Sequence, residues 1–316
     1  VEMVRSGTTR FFDMYWHGTE VAQAVTDAGI RAVVSSVMID HLDPADGEKQ
    51  RPAALELLDR LADVGPLVTP GFAPHGIYMV SGESLRWIAE TAADRRLPVQ
   101  IHLAETEDEV SECVARTGKS PARYLDELGF LGPRTALAHC VWVEREDFEL
   151  VADRGATVVT NPAANMKLAV GRAFPYPEAA AAGVALGLGT DGVSSNSNLD
   201  MLEEVKLFAL LQKHASGDSS VLPAAEALAI ARGLRSPLIA GTPLEAGAPA
   251  DFLLLRASDT ELSAGDLAAD LVYAASGSVV DTTVVAGRVL MRSRVVPAAD
   301  EIVAEVRARA ARLTAD

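Results

Sequence analysis

The chain has 316 residues, with 44 acids against 28 bases and a formal charge of −16. This length suits one large α/β barrel or two ordinary domains, the acidity argues against nucleic acid or an anionic membrane surface as a partner, and an apolar fraction of 49% is too high for a disordered chain. Two cysteines, Cys113 and Cys140, cannot build a disulfide framework, no run approaches the ~18 apolar residues of a membrane span and residues 1–7 hold no signal-like apolar stretch, so the expectation is a cytoplasmic enzyme or enzyme fragment.

Residues 1–6 read as the end of a helix without its beginning. From there short β-branched runs alternate with longer amphipathic ones. Strands are predicted near 8–14, 30–36, 66–72, 98–103, 134–139, 156–160 and 184–189, and helices near 18–28, 50–63, 82–95, 105–117, 144–154 and 175–182. A sustained β-α order argues for a parallel sheet covered by helices, either doubly wound or most of a (β/α)8 barrel. Gly29, Gly155 and Gly183 stand where a helix should end before a strand. After about residue 240 the texture changes. Gly241-Thr242-Pro243 and Gly247-Ala248-Pro249 break the chain, then come an apolar run at 252–255, a short helix near 266–274, a hairpin-like pair at 281–286 and 288–292, and a charged helix at 299–313.

Functional groups of parallel α/β folds gather at the C-terminal ends of strands. His75 follows the third strand, His102 and Glu105 close the fourth, His139 closes the fifth and Asp191 closes the seventh. A lone strand histidine is usually a satisfied core or surface residue; three with an aspartate at equivalent ends point to a site. Imidazole and carboxylate suit Zn2+ or Fe2+, and such a metal lowers the pKa of a bound water from ~16 towards ~7. Glu105 is placed to move protons, although alone it reads equally as an acid at a helix N-terminus. The rest of the run Glu105–Glu109 reads as solvated acids, Cys140 as a packed residue, and His41, His214, Arg307, Arg309 and Arg312 as surface.

His102-Leu103-Ala104-Glu105-Thr106, Ala138-His139-Cys140 and Gly189-Thr190-Asp191-Gly192 resemble the strand 5, 6 and 8 motifs of the amidohydrolase superfamily. Asn161-Pro162, Asn165-Met166-Lys167-Leu168, Ser195-Asn196, Asn198-Leu199-Asp200-Met201 and the segments 274–277 and 281–291 are similar to its methylthioadenosine/S-adenosylhomocysteine deaminase branch, close to the chlorohydrolases and guanine-type deaminases. The resemblance spans nearly the whole chain. It implies a distorted (β/α)8 TIM barrel over 1–240, a β-sandwich portion over 241–298 and a C-terminal helix over 299–316. It also implies hydrolytic deamination of a purine-type substrate by metal-bound hydroxide, with one divalent metal, zinc or iron. His102 and Asp191 would be metal ligands, with Asp191 also orienting the water. Glu105 would shuttle protons and His139 would hydrogen-bond the water or the tetrahedral centre. His75, Ser195 and Trp142 would meet substrate. Homo-oligomerisation is a further expectation. The lysine that bridges two metals in dinuclear members has no counterpart, since none occurs between Lys49 and Lys119.

The chain departs from the family in lacking the His-x-His pair of the first strand; the nearest candidate is His17. The expectation is a barrel without its first strand, weakly metallated, with two open sheet edges. Gly76-Ile77 where the branch has Ala-Pro, and Thr160 where relatives carry histidine, leave adenosine-type specificity open. A chlorohydrolase or amidohydrolase acting on another N-heterocycle and an inactive fragment remain as alternatives. The G-x-G-x-x-G at 187–192 is a weak dinucleotide signal, because Asp191 would oppose a pyrophosphate and no acid follows at the ribose-binding distance.

Overall fold

A computed structural model describes residues 1–241, 243–263 and 265–313. The chain opens with α1 (Glu2–Ser6), β1 (Arg10–Phe12), α2 (Gly18–Ala28), β2 (Arg31–Met38), α3 (Pro44–Ala62), β3 (Val68–Pro74), α4 (Gly82–Arg95) and β4 (Val99–Leu103). It continues through α5 (Glu107–Thr117), α6 (Pro121–Glu127), β5 (Thr135–His139), α7 (Arg145–Arg154), β6 (Thr157–Thr160), α8 (Pro162–Lys167), α9 (Tyr176–Ala181) and β7 (Ala185–Leu188). Three helices follow, α10 (Val193–Asn196), α11 (Met201–Ser216) and α12 (Ala224–Ala231), then β8 (Phe252–Leu255), α13 (Leu267–Ala269), β9 (Val280–Val285), β10 (Arg288–Met291) and α14 (Ala299–Leu313).

The seven predicted strands are all present, and each pairs in parallel with the next in the order β1 to β7. They curl into an incomplete barrel with helices outside. Every strand therefore points its C-terminal end the same way, and that end carries the candidate site. The core is built from side chains of both layers: Phe72, Leu85, Ile88, Ile101, Leu125, Leu137, Phe148 and Val158 are essentially without solvent contact. Such runs, apolar on both faces, are what a parallel sheet covered by helices requires.

The β7 edge is not bare. Leu186 donates its N–H to the Arg235 carbonyl at 3.1 Å, and the hydroxyls of Thr157 and Ser236 meet at 2.8 Å. The same segment reaches the opposite edge, where Arg10 donates to the Ile239 carbonyl at 2.8 Å. Ile239 fits because position 187 is glycine; a Cβ there would stand 2.2 Å from its Cδ1. The expectation of two open edges is thus corrected in part: the 235–239 segment spans from β7 to β1.

The small sheet is antiparallel, in the order β10-β9-β8. Val280, Val285, Leu290 and Met291 share a core with Val4, Val25, Ile30, Val34 and Leu61. The Thr283 hydroxyl donates to the Val4 carbonyl at 2.9 Å, and Arg31 forms a two-point bond with Asp251. Helix α3 starts earlier than predicted. Asp43 caps it by accepting the Ala45 N–H, with Pro44 in the first turn. Gly47, inside this helix, marks a close approach: a Cβ there would lie 2.0 Å from Ser84 Oγ. Helices α6, α8, α10, α11 and α12 were not anticipated. Thr242 and residues 314–316, which belong to the predicted break and tail, lie outside the described residues.

Candidate functional site

Three imidazoles meet at the C-terminal mouth. The rings of His75 and His102 have centroids 4.6 Å apart, and those of His102 and His139 are stacked at 5.3 Å. The strands place them. His75 sits one residue past β3, where its N–H donates to the Met38 carbonyl at 3.1 Å and its carbonyl accepts the His102 N–H at 3.1 Å. Two carboxylates close the group: His139 Nε2 lies 3.8 Å from Glu105 and 4.0 Å from Asp191. Five residues predicted from strand ends, His75, His102, Glu105, His139 and Asp191, thus come together.

The tautomers follow from the hydrogen bonds. His102 Nδ1 faces the His75 carbonyl at 2.6 Å and must donate to it. His139 Nδ1 faces Asn165 Oδ1 at 2.7 Å and donates likewise. Each Nε2 keeps its lone pair. Burial lowers the proton affinity of both rings and of His75, whose charge is further opposed by His102. Neutral imidazoles with the far nitrogen held by a carbonyl-type acceptor are the form that ligates metals. Glu105 moves the other way. Burial is the main cause of its raised pKa, with Asp191 adding to the rise and His102 opposing it.

In kind, these donors fit one borderline divalent cation: nitrogen from His102, oxygen from Asp191, and His139 within reach. Among the described residues the buried His75 Nδ1 has no hydrogen-bond partner. Among the described residues no set of three or more His, Cys, Asp or Glu side chains is already drawn round one point. His17, the nearest substitute for a missing ligand, is exposed and caps α2 in a left-handed conformation.

Backbone strain is also present here. Ala104, His139, Cys140 and Asp191 have φ of 49°, 70°, 51° and 58°, a region that costs non-glycine residues on the order of 1 kcal/mol or more each. These residues turn the chain sharply at the ends of β4, β5 and β7 and so aim the site side chains. The other predicted contacts are less central. Trp142 spends its indole N–H on the Val170 carbonyl at 2.7 Å and lies under the Arg172 guanidinium. Ser195 sits half-buried on the short helix α10.

Several supporting residues were missed. One is Asn165, whose motif marks the family resemblance but no role. Glu109 was read as a solvated acid, and the structure corrects this: it is 6% exposed and accepts the N–H groups of Ala104 and Glu105, each at 2.9 Å. Burial pushes its pKa up to about 7. Glu204 of α11 is equally buried; it accepts from Ala163 N–H and from the Asn196 amide, which also donates to the Thr190 carbonyl beside Asp191. Asp13, one residue past β1, is pushed to about 6 by burial. For Glu109 and Asp13 the signal is an acid within a few residues of a strand end, which sequence alone does not separate from a solvated one.

Comparison with known proteins agrees with this geometry. A model of the amidohydrolase family matches residues 1–290. The chain is 45% identical to a 5'-deoxyadenosine deaminase of Methanoregula boonei, over 99% of this chain and 72% of that protein. It is 40% identical to a 5-methylthioadenosine/S-adenosylhomocysteine deaminase of Thermococcus kodakarensis, over 92% of this chain and 69% of that one. A crystal structure of an adenosine deaminase from Xanthomonas campestris with bound zinc superposes with a TM-score of 0.90 at 32% identity, covering 98% of this chain and 72% of the other. With the strand-end histidines, the paired carboxylates and the incomplete barrel, these matches establish that the chain belongs to the amidohydrolase family.

Proposed function

We propose that this chain performs metal-dependent hydrolytic deamination of a purine nucleoside-type substrate, within the 5'-deoxyadenosine, methylthioadenosine and S-adenosylhomocysteine class named for its relatives. The observation that carries the reading is the meeting of His139 Nε2 with Glu105 at 3.8 Å and Asp191 at 4.0 Å. An imidazole and two carboxylates then surround the space where water and an amidine carbon would react.

His102 and Asp191 would hold the cation, for which zinc is the proposed identity, and His139 stands near enough to assist. A bound divalent cation supplies an acidified water as nucleophile near neutral pH. The chain's own residues do the rest. Asp191 accepts a hydrogen bond from the attacking water and orients it. Glu105 has its pKa raised by burial, so it can take one proton from the water and give it to the ring nitrogen, then take the second from the hydroxyl of the tetrahedral centre and give it to the amine that departs as ammonia. The neutral His139 ring contacts the tetrahedral centre, with its angle set by Asn165. His75 and Ser195 contact the substrate, and Trp142 lines its approach.

The test is ammonia release from 5'-deoxyadenosine, methylthioadenosine and S-adenosylhomocysteine by the zinc-supplemented chain, with bound zinc measured in parallel. Glu105→Gln should lower kcat by about 10²–10⁴-fold, the usual worth of a positioned acid–base group, while substrate still binds. A zinc-loaded wild type that releases no ammonia from any of the three would sink the proposal. Release of chloride from a chlorinated N-heterocycle in place of ammonia would point to a chlorohydrolase.

A further inference from the structure

We infer that Glu109 is a positioning residue for the reaction: its carboxylate grips two consecutive backbone N–H groups and so fixes where the Glu105 side chain leaves the end of β4. This rests on the deaminase reading, in which Glu105 carries the protons.

The geometry is specific. One oxygen of Glu109 accepts the Ala104 N–H at 2.9 Å and the other accepts the Glu105 N–H at 2.9 Å. The grip lies between residues four and five apart, across the loop that joins β4 to α5. Glu109 is itself anchored, because its own N–H donates to Thr106 Oγ1 at 3.2 Å, capping the helix. From the other side, the Leu103 carbonyl accepts the Cys140 N–H at 3.0 Å and the Ala104 carbonyl accepts the Trp142 N–H at 2.8 Å. The main chain of 103–105 is thereby held from both β5 and α5.

The turn needs this hold. Ala104 occupies the left-handed region at φ 49°, which a non-glycine residue leaves when nothing constrains it. The carboxyl group offers one acceptor oxygen to each of two N–H groups, which a side-chain amide with a single oxygen cannot do. An ordinary solvated acid on the first turn of a helix would have no reason to be buried; Glu109 is buried and makes both of these bonds. Displacement of a reacting group by about 1 Å can cost on the order of 10²-fold in rate, so slack in this turn would be felt at the proton shuttle.

Glu109→Gln is the informative variant. It keeps length and volume but offers one acceptor oxygen, and its amide nitrogen faces an N–H donor. The control is Cys113→Ala, a buried position on the same helix whose thiol meets the Thr117 hydroxyl and whose loss loosens the packing of α5 while leaving the Glu109 carboxyl in place. The zinc-loaded full chain is assayed for kcat and KM, and amide exchange is followed at Ala104 and Glu105. For Glu109→Gln the expectation is a kcat lower by about 10–100-fold, a KM within about threefold of wild type, and faster exchange at both amides. Cys113→Ala should lower the melting temperature while leaving kcat and both exchange rates unchanged.

Wild-type kcat and unchanged exchange in Glu109→Gln would overturn the inference. So would an equal loss of kcat in Cys113→Ala at an equal loss of melting temperature, because α5 would then act only through stability. A wild type that releases no ammonia would instead overturn the deaminase reading. Exchange would then decide the grip alone, with lost protection sustaining it and unchanged protection overturning it.

Discussion

Glu204 should make the stability of the folded chain depend on pH, in a direction opposite to that of a carboxylate in a salt bridge. Its carboxyl is buried on α11 between the Ala163 N–H and the Asn196 amide, and no cation is paired with it in the salt bridges of the described residues. Burial raises its pKa from 4.5 to about 7 despite those two donors. An unfolded chain would release the proton near its ordinary value. Between these two values the folded state binds more protons than the unfolded state. Stability is therefore complete below about pH 4.5 on this account, and it is lost as pH rises through about 7. The full difference corresponds to about 3 kcal/mol. Glu204→Gln removes the titration. It also removes one acceptor, at a cost of about 1 kcal/mol that does not vary with pH. The diagnostic is the slope and not the offset. Urea denaturation at pH 5, 6, 7 and 8, followed by tryptophan fluorescence, should show wild type losing up to about 3 kcal/mol more than the variant across that range. Some slope should remain in the variant, because Glu109 is also raised to about 7. Parallel curves for the two proteins would refute the reasoning.

Two further outcomes follow from the same structure. Asn165→Ala removes the acceptor that fixes the His139 tautomer at 2.7 Å; kcat for ammonia release should fall by about 10–100-fold, with little change in melting temperature. Phe208→Ala empties a fully buried position on α11 against Phe174 and Tyr176, and denaturation should report a loss of about 3–5 kcal/mol.

The barrel and the meeting of its strand-end side chains were legible for one reason. In a parallel sheet every strand is buried on both faces and ends in a turn, so each reads as a short apolar run followed by an abrupt polar residue. The polar residues at those ends, His102, His139 and Asp191, then share one mouth by topology alone, and their residue types name the chemistry. Gly29 and Gly155 end helices in the left-handed conformation that their position in the sequence implies. Elements without such punctuation were lost. Helix α11 spreads Val205, Phe208, Ala209 and Gln212 over its buried side but follows a motif read only for its polar residues, so its periodicity went uncounted.

The supporting shell was illegible for a physical reason that Glu105 and Glu109 show together. They stand four residues apart in one acidic run, and composition gives both the same meaning, that of acids favoured at a helix N-terminus. What separates them is direction. Ala104 turns left-handed at the end of β4, which sends the Glu105 side chain into the mouth beside His139 and folds the start of α5 back over the turn. Position 109 then faces the bare N–H groups of that turn and not solvent. A backbone reversal at one residue decides which acid faces the mouth and which accepts the N–H groups of the turn, and a reversal at alanine leaves no mark in the sequence of the kind glycine would leave. The same logic places Glu204 behind Thr190 and Asp191. At the end of β4, then, the acid that meets the mouth and the buried acid behind it stand four residues apart in one loop-and-helix unit, so a substitution aimed at one must be read against the other.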